Sequence, residues 1–370
     1  MEARHALVDE LSALPYPQVL ALPAEITAQL FVAACTDGIT IADVFHRLPT
    51  PMVLASVCSQ WREIALELGA IWSTITIPYS DTPPKTSVEA LRSGQHQLIL
   101  DIDRTQAQLL PLLLQVPTCT RARSLTLYID DADWPGERSP WSVLRAQLGC
   151  LNLAGVLLNP DDGTKFAVFE HCPRLRSLVL SLDPARLSLP WHQLVSLEAT
   201  GIDRFECVGL LQQTRSVQRL RLELVVYASH SEPFPGPALL LNLRSLELEV
   251  QGRSDRCVAD ALTAPALHVL HVEAVLFWEP EDGNTTTSIL RFLERSQCTI
   301  HELSLEGYNI DGIIKLLDVL PAIQELYIVK PYGGTNTGLM RRIFTTAVRY
   351  GSAPLAHLHT IHMVFDYDEV

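Results

Sequence analysis

The chain has 370 residues, of which 48% are hydrophobic and 19% charged, and its net charge is −14. A chain this apolar is not disordered, its length exceeds one ordinary domain, and an acidic balance without any run of Lys/Arg argues against nucleic acid as a main partner. Its apolar stretches are short, 109–114 around Pro111 being typical, against roughly 18 residues for a membrane span, so no membrane partner is expected either.

Residues 1–19 read as a tail. Residues 1–22 carry Glu2, Asp9 and Glu10 and no continuous apolar run, unlike a secretory signal, so a soluble protein of the cytoplasm and/or nucleus is expected. The eight cysteines never come closer than 22 residues, so buried free thiols are expected rather than a disulfide framework.

Leu22-Pro23-Ala24-Glu25-Ile26 opens a first helix, with proline near the first turn, where its missing N–H costs nothing. Ile26, Leu30 and Ala33/Ala34 then share one face. A second helix follows Thr50-Pro51, with Leu54 and Val57 inward. A third uses Trp61, Ile64, Ala65 and Leu68, at offsets 0, 3, 4 and 7, and Ile71 and Trp72 follow. Three short helices bury little core alone, so the module 20–77 is expected to complete itself against a partner or its neighbour.

The run Leu22-Pro23-Ala24-Glu25-Ile26…Leu30-Phe31…Val57-Cys58-Ser59-Gln60-Trp61-Arg62-Glu63-Ile64-Ala65…Ile71-Trp72 resembles an F-box, and is especially similar to those of mushroom-forming (basidiomycete) fungi. Leu91-Arg92-Ser93-Gly94 and Leu98-Ile99-Leu100 resemble the segment that joins F-box to repeats in such proteins, whereas 36–50 is longer than the compact F-box. The resemblance implies docking to a Skp-type adaptor, and through it to a cullin–RING ubiquitin ligase. Carried over residue by residue, the adaptor face would be Leu22, Pro23, Ile26, Leu30, Val57 and Trp61. An LP turn leading into an amphipathic helix suits a groove lined for aliphatic side chains.

After a linker at 78–94 the pattern changes. Aliphatic residues recur at offsets 0, 3 and 5: Ala122/Leu125/Leu127, Leu148/Leu151/Leu153, Leu175/Leu178/Leu180, Leu194/Leu197/Ala199, Val217/Leu220/Leu222, Leu243/Leu246/Leu248, Leu267/Leu270/Val272, Ile300/Leu303/Leu305, Ile323/Leu326/Ile328 and Leu358/Ile361/Met363. Successive segments start 19 to 35 residues apart. Offsets 3 and 5 alternate as in a strand, while 209–217, 289–296, 313–320 and 339–350 have helical spacing. A short strand and a helix at this period resemble a leucine-rich repeat. The expected fold is α/β: the three-helix F-box-like module, then an irregular leucine-rich-repeat solenoid over 95–370 with a parallel concave sheet. The repeat's usual asparagine is mostly missing, only Asn309 lying near its place, so irregular turns are expected.

In such a repeat offsets 4 and 6 project from the concave face. There stand Glu198, Arg221, Glu223, Glu247, Glu249, Glu273 and Glu306, with His271, Ser304, Tyr327 and Val329 among them. Six glutamates against one arginine predict an acidic stripe that attracts a basic segment of a protein substrate.

Catalytic motifs are fragmentary. His301-Glu302 lacks the second histidine of a zinc helix, and His271-x-Glu273 lacks a following PCxxC. His171-Cys172 has Leu178 where a phosphatase loop needs arginine, 333–338 lacks the Lys-Ser/Thr of a P-loop, and the sequon at Asn284 has no secretory context. No enzyme, cofactor or metal is expected. Two functions remain: the substrate-recognition subunit of a Skp–cullin–F-box ubiquitin ligase, or a leucine-rich scaffold whose helices only cap the repeats.

Overall fold

The structure is a computed structural model and describes residues 22–35, 39–40, 50–77, 98–102, 122–130, 141–156, 166–181, 183–225, 234, 236–251, 257–275, 283–331, 341 and 357–364. The chain forms two compact units, Met1–Leu127 with Arg138–Pro140, and Tyr128–Glu137 with Trp141–Val370. The division thus falls at Leu127, whereas the expected linker 78–94 lies outside the described residues. The secondary structure is α/β with parallel strands, and no helix among the described residues is long and apolar enough to cross a membrane.

In the first unit α1 (Ala24–Ala34), β1 (Ile39–Thr40), α2 (Thr50–Val57) and α3 (Ser59–Glu67) are followed by β2 (Thr74–Ile77), β3 (Leu98–Ile102) and β4 (Ala122–Asp130). The four strands pair in parallel in chain order. The helices enclose Phe31, Ala65, Ile71 and Trp72, with Met52, Leu54, Trp61, Ile64 and Leu68 packed around them. Helix ends are tied by side chains: Arg62 Nε donates to the Ala55 carbonyl at 3.0 Å, and Trp72 Nε1 donates to the Ala65 carbonyl at 2.7 Å. Both acceptors lie in the last turn of a helix, where carbonyls lack intrahelical donors.

The second unit contains α4 (Trp141–Gln147), β5 (Cys150–Val156), β6 (Ser177–Ser181), β7 (Ser196–Asp203), α5 (Arg204–Leu211), β8 (Arg219–Val225), β9 (Ala238–Leu239), β10 (Ser245–Gln251), β11 (Leu262–Thr263), β12 (Val269–Val275), α6 (Gly283–Ser296), β13 (Glu302–Glu306), α7 (Ile310–Asp318), β14 (Glu325–Val329) and β15 (Thr360–Val364). Nine strands lie parallel in the order β5-β6-β7-β8-β10-β12-β13-β14-β15, and β9 pairs only with β11. All ten aliphatic segments meet a strand, nine here and one at β4. Their side chains at offsets 0, 3 and 5 are buried, except at β15, the last strand of the sheet among the described residues, where Leu358, Ile361 and Met363 are half-exposed.

Two expected helices, 289–296 and 313–320, fall on α6 and α7; 339–350 lies outside the described residues apart from Arg341. The helix expected at 209–217 starts five residues earlier, because Asp203 accepts the Phe205 N–H at 2.8 Å and fixes the start of α5. Asn309 does the same for α7, accepting the Gly312 N–H at 2.6 Å.

Regularity sits at the strand entrances. The carbonyls of Gly149, Arg176, Val195, Gln218, Arg244, His268, His301 and Gln324 each accept two consecutive N–H groups from the following unit. The turns before them carry no asparagine ladder. Instead Gln193 donates to the Cys172 and Leu175 carbonyls, Asn242 to Arg215, and Arg295 to Ala259 and Leu262, while Ser296 accepts from the Ala264 N–H.

Candidate protein-binding surfaces

On α1 the buried pair Thr27/Phe31 and the exposed pair Ile26/Leu30 are each four residues apart, so one helix shows apolar side chains on two faces. Ile26 is 43% and Leu30 49% exposed, and on α2 Val53 is 45% and Val57 49% exposed. Val57 was expected inward with Leu54. It lies outside because Pro51, Met52, Leu54 and Ala55 form the inner side of α2, while Val53 and Val57 stack one turn apart on the outer side. Of the other residues assigned to an adaptor face, Pro23 is exposed and Leu22 half-buried. Trp61 turns its ring edge-on to Phe31, 5.0 Å between centroids, and so belongs largely to the unit's own core. Val53, and Leu66 at 43% exposure on α3, extend the exposed apolar set; sequence spacing missed them because they fall off the inner face it was tracing.

In the second unit, parallel register sorts the outward side chains into rows. One row reads Val179, Glu198, Arg221, Glu247, His271, Ser304, Tyr327, His362. The next reads Glu223, Glu249, Glu273, Glu306, Val329, Val364 from β8 to β15. The single acidic stripe expected from sequence is therefore two rows of different character. In the first, Arg221 Nε stands 3.7 Å from Glu198 and 3.4 Å from Glu247, so charge largely cancels. These pairs are half-exposed, and such pairs contribute about 1 kcal/mol at most. In the second, four glutamates occupy neighbouring strands, about 4.8 Å apart. Lys330 reaches this row at Glu306, its Nζ 3.5 Å from the carboxylate. Lys330 itself has a left-handed backbone, φ 48°.

Glu273 registers this crowding. Partial burial, then the charges of Glu306 and Glu249, push its pKa above the ordinary 4.5, against the opposing pull of His271 and Lys330. A carboxyl with a folded pKa above its unfolded one binds more protons when folded, so stability falls as pH rises through the interval just above 4.5. Glu273→Gln is expected to flatten that fall and to raise the melting temperature slightly at pH 7, as thermal denaturation between pH 4 and 7 will show.

His271, Glu273 and Glu306 are the group among the described residues whose donor atoms could converge on a metal ion, lying within 4.8 Å of one another, with Lys330 already beside Glu306. At the far end of the face Tyr327 and His362 stack, 4.8 Å between centroids and 6° between planes. Tyr327 donates to Glu325 Oε2 at 2.9 Å, and that bond raises its pKa. His362 is at offset 4 of the last segment, which the sequence reading stopped short of.

The remaining fragments do not assemble. Cys172 is buried and its thiol is pushed up to about 11 by that burial, which keeps it protonated and a poor nucleophile. Cys207 and Cys257 are also free and buried, with thiols pushed up to about 12 and about 11. Cys150 is exposed, Asn284 lies in the first turn of α6, and Cys119 and 333–338 lie outside the described residues. Compared with known proteins, the chain matches no family model and no curated protein.

Proposed function

We propose that this protein is a non-catalytic substrate receptor. Its helical module, residues 20–77, acts as an F-box that docks a Skp-type adaptor and through it a cullin–RING ligase. The strands that follow act as an irregular leucine-rich-repeat solenoid that holds a protein substrate. The observation carrying the proposal is the pair of outward aliphatic steps, Ile26/Leu30 on α1 and Val53/Val57 on α2, each four residues apart and nearly half exposed. A short helix that already spends Phe31 on its own core has no internal use for Ile26 and Leu30, whereas a groove on a partner does. A few such anchors carry most of an interface's binding energy.

The test is co-purification with a Skp-type adaptor. The wild-type chain is expected to recover the adaptor, and Ile26→Asp/Leu30→Asp to lower recovery at least tenfold while the chain stays folded, since both side chains are already nearly half exposed. A wild-type chain that never recovers the adaptor would leave a leucine-rich scaffold, its helices only capping the repeats.

A further inference from the structure

We propose that the entrance edge of strands β6 to β10 binds an acidic segment of a partner protein. Its carboxylates meet Arg174, Arg176, Arg215, Arg219 and Arg244, and an apolar side chain packs on Leu241. This surface stands apart from the helical module and from the outward face of the sheet.

The repeat itself builds the edge. Strands β6, β7, β8 and β10 are entered through the residues around Leu175, Leu194, Val217 and Leu243. Two before, one before and one after those aliphatics, the chain reads Pro173, Arg174 and Arg176, then His192, Gln193 and Val195, then Arg215, Ser216 and Gln218, then Leu241, Asn242 and Arg244. A chain with 42 acidic residues against 28 Lys/Arg places no Asp or Glu at any of them. The next position holds Ser177, Ser196, Arg219 and Ser245, aligned side by side by the parallel register. Three strand steps of about 4.8 Å make the stretch about 14 Å long. It ends where the charge reverses, since β13 and β14 carry Glu302 and Glu325 at the position of Arg219.

All five arginines are exposed, and among the described residues none has a carboxylate within ion-pair distance. Two are held in place by neutral acceptors, which leave their charge uncompensated. Arg174 Nη1 donates to Gln147 Oε1 at 2.9 Å, and Arg176 Nη1 to the Pro173 and Leu175 carbonyls at 3.2 and 3.0 Å. Glu198 and Glu247 on the sheet face are taken by Arg221. The cations of the edge are arginines without a lysine, and the planar guanidinium receives a carboxylate through two parallel N–H bonds.

An apolar feature narrows the class of ligand. Leu241 is 59% exposed, more than any other large hydrophobic side chain among the described residues. It stands before β10 where Arg215 stands before β8, and Asn242 Nδ2 donates to the Arg215 carbonyl at 3.1 Å, tying the two turns together. An apolar anchor beside unpaired cations suits a protein segment that mixes acidic residues with an aliphatic one. Nucleic acid fits less well, because these positions offer no Phe, Tyr or Trp for bases to stack on. An anionic membrane is a broad surface, which a chain of net charge −14 repels beyond so short an edge.

The test uses the full-length purified chain and a labelled glutamate-rich peptide carrying one leucine, read by fluorescence anisotropy in low salt. The peptide is expected to bind, and Arg215→Gln/Arg244→Gln to weaken it at least tenfold; both side chains are exposed, so the variant keeps its fold. Arg291→Gln/Lys315→Gln removes the same charge from exposed positions on α6 and α7 and should change binding less than twofold. Leu241→Ser should weaken the leucine peptide severalfold and leave a serine version unchanged. Equal losses from the two charge-removing pairs overturn the inference, because the attraction is then general to the chain. Undiminished binding by Arg215→Gln/Arg244→Gln, or equal binding of a glutamine version of the peptide, overturns it too. A single-stranded RNA of equal charge, or phosphatidylserine vesicles, bound more tightly than the peptide and lost in Arg215→Gln/Arg244→Gln, would make the edge a phosphate surface instead. Absence of peptide binding to a folded chain also overturns it, while the adaptor reading keeps its own co-purification test.

Discussion

Trp72→Ala is expected to cost about 3–5 kcal/mol, the range for deleting a buried aromatic side chain, and to unfold the helical module at physiological temperature. Trp72 is fully buried among Phe31, Ala65 and Ile71, and its indole N–H is bound to the Ala65 carbonyl at 2.7 Å. The loss therefore has two parts, a cavity in a small core and an unsatisfied carbonyl at the end of α3. Trp72→Phe separates them: it keeps most of the volume, drops the hydrogen bond, and should cost about 1–2 kcal/mol. Hydrogen exchange resolves the effect by region. Protection across α1 to α3 should collapse in Trp72→Ala, while the strands β6 to β14 keep theirs. Because a module unfolded in this way also loses Ile26 and Leu30 as an ordered surface, Trp72→Ala should abolish adaptor recovery through folding, whereas Ile26→Asp/Leu30→Asp abolishes it with folding intact.

Gly307→Ala is expected to lose at least about 2 kcal/mol. The residue directly follows β13, with φ +67°, a conformation that costs any residue with a Cβ about 1–2 kcal/mol. A Cβ there would also overlap the carbonyl oxygen of Ala274 on the neighbouring strand, while the Gly307 N–H is bound to Val329 on the other side at 3.0 Å. Neither side can yield without disturbing strand pairing. Gly209→Ala is the matched control: the same substitution in α5, with nothing within 4 Å of the new methyl, should add about 0.5–1 kcal/mol through helix propensity. Urea midpoints of the two variants should move in opposite directions.

The strands were legible because burial alternates with period two and leaves its mark on residue type: Leu246 and Leu248, Leu303 and Leu305 announce their side of the sheet. Helix starts were less so, since Asp203 and Asn309 act through single capping bonds that lie outside any apolar period. The acidic face was legible as composition and as positions, since offsets 4 and 6 of successive segments already align Glu198, Arg221 and Glu247 in one set and Glu223 and Glu249 in another. What offsets alone did not show is that Arg221 comes close enough to pair with both Glu198 and Glu247, because those distances are set by register between strands 23 to 26 residues apart. Trp61 was placed on the adaptor face by the resemblance, while its spacing put it on one stripe with Ile64, Ala65 and Leu68; beside Phe31 in so small a core it is drawn inward. The missing asparagine was a real signal with a plural answer: Gln193, Asn242, Arg295 and Ser296 meet the turn backbone with different chemistry, and no single residue type could have marked them.

The doubly accepting carbonyls at the strand entrances have a wider consequence. Segment starts are separated by anything from 19 to 35 residues, yet each new strand is re-indexed against the one before it by the same two N–H groups. Length errors between strands therefore do not accumulate. A loop can lengthen, shorten or be exchanged at modest entropic cost, and the side chains downstream keep their rungs. The backbone works as a series of index marks, which frees the connecting segments to diverge quickly while the face they support holds its spacing.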